Sequence, residues 1–202
     1  MKKSVIPRAL VLNGILKSPQ IIEAFEYVDR IDFVPQELKP MAYEDRPLPI
    51  GFAQTISQPY TVAFMLELLQ ANKKDRVLDV GSGSGWTTAL LAYLSEHVDA
   101  VERIEELVKF SKQNFSKYSF KNISVHKAKE TLGIEGSSFD KILVSCATDE
   151  VPQTLLKQLK PGGTMIIPIK NSIIKVHKNS DGSLKTEKYP GFIFVPLIRD
   201  DM

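Results

Sequence analysis

Three alternating glycines, Gly81, Gly83 and Gly85, form the part of the sequence best suited to hold a reactive ligand. They follow an apolar run at 77–80 and precede an apolar, helix-like segment at 87–94, so the order is strand, tight turn, helix. Glycine tolerates positive φ and lets a ligand lie against bare main chain, and the first turn of a helix presents unpaired N–H groups. The pattern predicts a ligand-binding turn at the end of a buried strand.

An acidic side chain follows this turn at a spacing typical of nucleoside-binding folds. A second predicted strand at 97–101 ends at Glu102, about 20 residues beyond the glycines, where a carboxylate can accept hydrogen bonds from ribose hydroxyls. Together the two signals predict a nucleoside-cofactor site at the carboxyl ends of parallel strands. The alternative is a glycine turn without a ligand. An NAD-dependent oxidoreductase is disfavoured because the glycines do not follow the GxGxxG spacing.

A second unusual stretch, residues 42–60, carries hydroxyl groups in a loop that cannot be a regular helix. Three prolines and a glycine interrupt it, and Thr55 and Ser57 stand on either side of an isoleucine. Long loops are uncommon in compact domains unless they act as lids or binding loops. We therefore expect this loop to close over the site. The alternatives are a packed connection, or Ser57 or Thr61 as the N-cap of the next helix.

Composition limits the classes of function. The chain has 202 residues, 43% hydrophobic and 25% charged, and its net charge of +2 gives no broad electrostatic case for binding nucleic acid or a membrane surface. Cys146 is the single cysteine, so an intrachain disulfide is excluded and we expect a small core residue. The three histidines lack metal-ligand spacing, so no metal is expected. We expect no signal peptide and no membrane span, and hence a cytoplasmic protein, which we expect to be a monomer.

The elements that must position these residues alternate along the chain. Helices are predicted at 5–16, 20–28, 61–70, 87–94, 104–115 and 151–159. Strands are predicted at 77–80, 97–101, 123–125, 140–145, 164–168, 173–177 and 192–197, with a hairpin turn at 179–182. This order predicts an α/β fold with a doubly wound, mostly parallel seven-stranded sheet, an antiparallel C-terminal hairpin and a small helical N-terminal extension. We expect one compact unit, in which 1–60 form the extension and closing loop and 61–202 form the Rossmann-like domain.

The loop and its flanking motifs resemble one family. Residues 45–51 read Asp-Arg-Pro-Leu-Pro-Ile-Gly and residues 54–59 read Gln-Thr-Ile-Ser-Gln-Pro, which looks like the signature loop of protein-L-isoaspartate (D-aspartate) O-methyltransferases. Phe-Val-Pro at 33–35 and Phe-Val-Pro-Leu at 194–197 fall in the same order. The Asp-x-Gly-x-Gly-x-Gly pattern that begins at Asp79 resembles motif I of class I S-adenosylmethionine-dependent methyltransferases. The resemblance covers nearly the whole chain.

The resemblance implies methyl transfer from S-adenosyl-L-methionine to the α-carboxyl group of L-isoaspartyl and D-aspartyl residues in damaged proteins, which initiates their repair. S-adenosyl-L-homocysteine would be the product, and isoaspartyl-containing peptides and proteins would be the partners. By position, Ser57 would be the catalytic residue, and Pro49, Ile50 and Gly51 would contact the substrate. Glu102 would bind the ribose. The implied cofactor-binding residues are Thr55, Ile56, Gln58, Asp79, Gly81, Ser82, Gly83, Gly85, Glu102, Lys129 and Glu130.

Two departures from the family pattern bear on this expectation. Where the family has Gly-Asp-Gly, with the aspartate accepting from the adenine amino group, this chain has Ala128, Lys129 and Glu130. Lysine only donates, so we expect a backbone carbonyl or Glu130 to accept instead, and the alternative is impaired cofactor binding. Ala53 stands where glycine is common, which matters if the loop needs positive φ there. The open alternatives are a divergent methyltransferase acting on another carboxylate or small molecule, and a degenerate domain that binds peptide without catalysis.

Overall fold

The computed structural model describes residues 6–129 and 131–197, and a seven-stranded sheet organises them. The sheet order is β5-β4-β3-β6-β7-β8-β9, with β3 to β7 parallel and β8 and β9 antiparallel. Its strands are β3 (Arg76–Val80), β4 (His97–Glu102), β5 (Ile123–Lys127), β6 (Phe139–Val144), β7 (Leu159–Ile169), β8 (Ser172–Lys178) and β9 (Leu184–Pro190). The predicted fold class, including the antiparallel C-terminal hairpin, is confirmed.

Helices join these strands and build the N-terminal extension. They are α1 (Ile6–Leu12), α2 (Pro19–Tyr27), α3 (Pro59–Leu69), α4 (Trp86–Leu94), α5 (Glu105–Phe115) and α6 (Gln153–Gln158), with short 3-10 turns at Arg30–Phe33 and Gln36–Met41. The first helix ends earlier than the sequence pattern indicated, because Gly14 turns the chain with a φ of 70°. None of the helices among the described residues is long and apolar enough to cross a bilayer.

Alternation along the strands divides the core into two layers. Val77 and Val98 pack on the side of α2, α3 and α4, whereas Leu78, Val80 and Val101 pack on the side of α6. Strands buried on both faces need apolar side chains at nearly every position, which explains the near-continuous apolar runs in the central strands. Because β3 and β6 are parallel neighbours, the glycine turn and the end of β6 meet at one edge of the sheet.

The loop expected at 42–60 contains a small hairpin. Strands β1 (Leu48–Gly51) and β2 (Gln54–Ile56) pair antiparallel, with Leu48 opposite Ile56. Their turn is formed by Phe52 and Ala53, and both have positive φ, at 54° and 55°. No Asn-Gly or Asp-Gly pair marks this turn, so its hairpin signal was absent from the sequence. We call residues 42–57 the strap.

The last predicted strand is wrong. Residues 192–197 hold only an isolated parallel bridge, between Ala147 and Pro196, and the strand that closes the sheet is β9. Strand β9 is an edge strand with exposed polar side chains, so it lacks the apolar alternation that identifies a half-buried strand. The apolar run at 192–197 instead lies across the ends of β6 and β7.

Candidate active site

A cavity of about 430 Å³ opens at the carboxyl ends of the parallel strands. It lies where the strand order reverses, between β3 and β6, which is the switch point at which doubly wound sheets bind ligands. Its volume falls within the range usual for small-molecule sites. Six segments line it: the strap, the glycine turn with the start of α4, the end of β4, residues 128–129 and 131–133, the end of β6 at 145–146, and the C-terminal run at 195–197.

The glycine turn forms the floor of this cavity. Gly81, Ser82 and Gly83 line it, whereas Gly85 does not. A Cβ at Gly85 would lie 2.5 Å from Phe115 Cζ, so that glycine serves the packing of α4 against α5. Its predicted role as a cofactor contact is therefore not supported.

Glu102 lies at the cavity wall, at the end of β4, as the sequence predicted. Its Oε2 accepts from the Gly83 N–H and its Oε1 from the Ile104 N–H, each at 2.9 Å. Each oxygen of a carboxylate has a further lone pair, so both can still accept from a ligand hydroxyl. Glu102 thus orders the glycine turn and leaves acceptors facing the cavity.

Asp79 does not reach this cavity. Its side chain is fully buried, and its Oδ2 accepts from the Thr88 hydroxyl at 2.6 Å while Oδ1 has no partner. Burial, with a smaller contribution from Glu102, raises the pKa of Asp79 from 3.8 to about 7, against the lowering effect of the Thr88 bond. The predicted direct contact of Asp79 with the cofactor is not supported, because the residue lies behind the turn and fixes α4.

Asp79→Asn should change the pH dependence of stability. Because the folded state raises the pKa of Asp79, it binds this proton more tightly than the unfolded chain does. The resulting stabilisation is complete below pH 3.8 and is lost as the pH rises to about 7, at up to ~1.4 kcal/mol per pH unit. Urea unfolding between pH 4 and pH 8 should show this fall in wild type and not in the neutral variant. Parallel curves for the two proteins would contradict the assignment.

The strap supplies the opposite wall of the cavity. Thr55, Ile56 and Ser57 line it, so the predicted hydroxyl residue faces the same space as Glu102. Gln58 does not line it; it is the N-cap residue of α3 and makes no side-chain cap bond. The first turn of α3 is capped instead from the strap, by Asp45 Oδ1, which accepts from the Tyr60 N–H at 2.8 Å. Ser57 is therefore not a helix cap.

The three predicted substrate residues lie on β1, outside the cavity wall. Pro49 and Gly51 are exposed, whereas Ile50 is 5% exposed. A Cβ on Gly83 would lie 3.2 Å from Ile50 Cδ1, so Ile50 packs the strap directly onto the glycine turn. Pro49 and Gly51 remain accessible to a peptide, whereas the burial of Ile50 does not support a substrate contact by that side chain.

Ala53→Gly should stabilise the protein. Ala53 has a φ of 55°, where an L-residue with a Cβ is strained and glycine is not. We expect the free energy of unfolding to rise by about 0.5–1 kcal/mol. This figure is net of the opposing effect of glycine, which increases the conformational entropy of the unfolded chain. Chemical denaturation measures it. The matched control Ala63→Gly, inside α3, should lose about 1 kcal/mol, and a loss at both positions would contradict the turn geometry.

The Ala128-Lys129-Glu130 segment, which departs from the Gly-Asp-Gly pattern of the family, begins at the edge of the cavity. Lys129 lines the cavity with an exposed side chain, and the Ala128 N–H donates to the Glu102 carbonyl oxygen at 2.8 Å. Glu130, the other residue expected to contact cofactor, lies outside the described residues. Further lining residues carry no local sequence signal for this role, and they lie at the start of α4, after the ends of β4 and β6, or in the C-terminal run: Trp86, Thr87, Arg103, Ile104, Ser145, Val195, Pro196 and Leu197.

Cys146 is both a core residue, as expected, and a lining residue. A Cβ at Gly81 would lie 3.4 Å from its Sγ, so the ends of β3 and β6 meet here. Burial raises the pKa of the Cys146 thiol to about 12, with smaller contributions from Glu102 and Asp79. The thiol is therefore protonated at neutral pH and is a poor nucleophile. Among residues 6–129 and 131–197, no cluster of three acidic, histidine or cysteine side chains could hold a metal ion.

These features define a doubly wound α/β protein with a small-molecule cavity at its switch point, closed on one side by a hydroxyl-bearing strap. The model of the protein-L-isoaspartate(D-aspartate) O-methyltransferase (PCMT) family matches residues 1–201. A Methanothrix thermoacetophila protein named protein-L-isoaspartate O-methyltransferase is 44% identical over 188 residues, which cover 90% of this chain and 89% of that protein. One of the same name from Pyrococcus horikoshii is 41% identical over 196 residues, 94% of this chain and 89% of that protein.

A solved structure extends the comparison to three dimensions. It is a crystal structure from Plasmodium falciparum, described as a protein-L-isoaspartate O-methyltransferase in complex with S-adenosyl-L-homocysteine. The two chains superpose with a TM-score of 0.87 at 26% identity, covering 99% of this chain and 100% of the other. This chain belongs to the protein-L-isoaspartate(D-aspartate) O-methyltransferase family.

Proposed function

We propose that this protein transfers a methyl group from S-adenosyl-L-methionine to the α-carboxyl group of L-isoaspartyl and D-aspartyl residues in damaged proteins, and so initiates their repair. The observation that carries the proposal is that Ser57 and Glu102, on two separate elements, line one cavity in a chain of this family. Its partners are then isoaspartyl-containing peptides and proteins. A cytoplasmic monomer fits this role, because the substrate is any exposed peptide segment.

The residues of the cavity fit such a cofactor. Glu102 keeps free lone pairs for ribose hydroxyls, and the glycine turn leaves main chain bare where a methionine moiety needs close approach. Ile56, Leu132 and Leu197 add apolar walls. When bound, S-adenosyl-L-methionine supplies an electrophilic methyl group on a sulfonium centre.

Ser57 is proposed to orient the acceptor. The α-carboxyl group is already ionised at neutral pH, so the site needs no strong base. A neutral hydroxyl can donate one hydrogen bond to the carboxylate without the charge that would over-stabilise the ground state. The strap meanwhile excludes water and restricts the approach direction, so catalysis depends on positioning. The exposed residues Pro49 and Gly51 are accessible to contact the substrate peptide.

The chemical outcome explains why methylation amounts to repair. An α-carboxyl methyl ester beside a peptide bond is an activated acyl group, which the neighbouring amide nitrogen can attack to give a succinimide and methanol. Hydrolysis of the succinimide at either carbonyl then returns part of the material as a normal aspartyl linkage. The protein needs to perform only the first step.

Lys129 motivates a second candidate, a methyltransferase of the same family that accepts a different carboxylate. Its ammonium group at the cavity edge adds a positive charge where the family pattern has an acidic acceptor. Such a charge could favour an acidic acceptor molecule over a peptide.

Lys129→Asp should tighten the binding of S-adenosyl-L-homocysteine. The variant restores the acceptor that the family resemblance assigns to the adenine amino group, and one hydrogen bond is worth about 0.5–1.5 kcal/mol, or roughly 2- to 12-fold in affinity. Isothermal calorimetry measures the change. S-adenosyl-L-homocysteine is used because its thioether is neutral, so the new aspartate cannot tighten binding by attracting a sulfonium charge. Lys157→Asp, an equal charge change on α6, is the control and should leave affinity unchanged. Unchanged binding by Lys129→Asp would contradict this prediction and show that another group, such as a backbone carbonyl or Glu130, already accepts this bond.

Transfer of labelled methyl groups to two matched peptides tests the proposed function. One peptide carries an L-isoaspartyl residue and its twin carries normal aspartate at the same position. We expect base-labile methylation of the isoaspartyl peptide alone. Methylation of neither peptide by a protein that binds S-adenosyl-L-homocysteine would refute the proposal and favour the second candidate, whereas absence of cofactor binding would refute both.

A further inference from the structure

Arg30 is a fully buried cation whose hydrogen bonds end on the strap. It lies in the 3-10 turn Arg30–Phe33 and is 0% exposed. Its Nη1 donates to the Ala42 and Glu44 carbonyl oxygens at 2.9 and 3.1 Å. Its Nη2 donates to the carbonyls of Arg46 at 2.9 Å, Ser57 at 3.0 Å and, more weakly, Ile56 at 3.5 Å. One side chain therefore holds both ends of the strap.

The strap needs hydrogen-bond donors from outside the segment because its prolines reduce the number of its own N–H groups. Pro47, Pro49 and the following Pro59 have no N–H group, so the segment has more carbonyl acceptors than donors. A buried carbonyl without a partner costs free energy comparable to a lost hydrogen bond. A guanidinium group presents five N–H donors in one plane, which suits several converging carbonyls, whereas an ammonium group is compact and has three donors.

Arg30 keeps its charge despite this burial. Burial lowers its pKa from 12.5 to about 10, so the guanidinium remains protonated at neutral pH. Its hydrogen bonds among the described residues all go to main-chain oxygens, and the nearby carboxylates of Asp45 and Glu44 favour the charged form without a hydrogen bond to it. Its Cζ also lies 5.4 Å from the centre of the Trp86 ring, and Trp86 lines the cavity.

We propose that Arg30 is a positioning residue for methyl transfer: by fixing the carbonyl groups of Ile56 and Ser57 against those of residues 42–46, it sets where the Ser57 hydroxyl stands in the cavity. The inference rests on the proposed role of Ser57 in catalysis. Arg30 does not line the cavity, so it acts through the residues that it holds and not by contact with a ligand. The glycine turn is tied to Glu102 by hydrogen bonds in which Arg30 takes no part.

Two variants, Arg30→Lys and Arg30→Met, test this inference. The first keeps the charge but not the planar set of donors, and the second removes both. Because small misplacements of a reacting group can cost up to about 10²-fold, we expect kcat on an isoaspartyl peptide to fall roughly 10-fold for Arg30→Lys and roughly 100-fold for Arg30→Met. The affinity for S-adenosyl-L-homocysteine should change far less. Assays are run well below each variant's melting temperature.

Backbone amide hydrogen exchange supplies a readout that does not require activity. In Arg30→Lys, exchange should accelerate within residues 42–57 and stay unchanged in the central strands. The matched control is Tyr118→Phe, which removes the bonds that the Tyr118 hydroxyl makes with the Asp29 N–H and the Asp32 carboxylate, next to Arg30, without touching the strap. The control should lose stability but keep kcat and slow exchange in the strap.

Two results would overturn the inference: unchanged kcat in both Arg30 variants, or an equal loss of kcat in Tyr118→Phe. If the wild-type protein methylated no isoaspartyl peptide, the proposed function would fail separately. The exchange of residues 42–57 would then decide alone whether Arg30 fixes the strap, and unchanged exchange in Arg30→Lys would refute it.

Discussion

Ser57→Ala should lower kcat for an isoaspartyl peptide by about 10²-fold while changing the affinity for S-adenosyl-L-homocysteine only slightly. Ser57 lies on the strap wall of the cavity, and in the proposed mechanism its hydroxyl contacts the acceptor carboxylate and not the cofactor. An interaction made with the reacting group in the transition state affects kcat and kcat/KM together. Steady-state kinetics on the peptide and calorimetry with the cofactor product measure the two effects separately.

A comparison of Ser57 variants distinguishes a catalytic role of the hydroxyl from a structural role in the strap. Ser57→Thr keeps a hydroxyl on the same backbone and should retain more activity than Ser57→Ala. Since Ser57 does not cap α3, its removal should cost little stability. Equal losses of turnover and cofactor affinity in Ser57→Ala would instead mean that the side chain only maintains the shape of the strap.

Glu102→Ala should reduce the affinity for S-adenosyl-L-homocysteine by more than about 10²-fold. The variant removes the proposed ribose acceptor and also leaves the Gly83 and Ile104 N–H groups without partners. Each unsatisfied buried donor costs about 1–3 kcal/mol, so the glycine turn itself should loosen and the melting temperature should fall. Calorimetry and thermal unfolding measure these two losses.

Glu102→Gln is the matched control for this change. Its side chain has the same shape but only one acceptor oxygen, so one of the two backbone donors loses its partner. Affinity should fall between the values of wild type and Glu102→Ala. If Glu102→Ala bound the cofactor product within a few-fold of wild type, the ribose would not be held at this strand end.

The glycine turn and Glu102 could be located from sequence because both depend on local patterns. The turn follows a buried strand directly, and Glu102 ends the next strand, whose register on β3 is parallel. Parallel neighbours bring their carboxyl ends to one edge, so the meeting of the two residues follows from chain order. The role of Ser57, by contrast, came from the family resemblance, because nothing local fixes where a loop closes.

The features that the sequence did not reveal depend on long-range contacts. Arg30 is one basic residue in a short segment, and its importance appears only when residues 42–57 fold over it. The turn at Phe52 and Ala53 lacks the glycine or asparagine that usually marks positive φ. Asp79 fits the motif by spacing, but the pleat of β3 turns its side chain into the core beside Thr88.

The division of the chain at residue 60 stays a prediction. Helix α2 packs against α4, and Glu67 Oε1 on α3 accepts from the Lys17 and Ser18 N–H groups, so contacts cross that boundary. Removing residues 1–60 would therefore expose one face of the α4 layer as well as opening the cavity.

A crystal structure of the protein with S-adenosyl-L-homocysteine would show directly whether the cavity binds the cofactor. We expect the ligand in the 430 Å³ cavity, with its ribose hydroxyls within about 3.2 Å of Glu102 and its sulfur facing the Ser57 side of the strap. A ligand bound elsewhere, or one whose ribose lies beyond hydrogen-bond reach of Glu102 while Ser57 faces away from its sulfur, would contradict it.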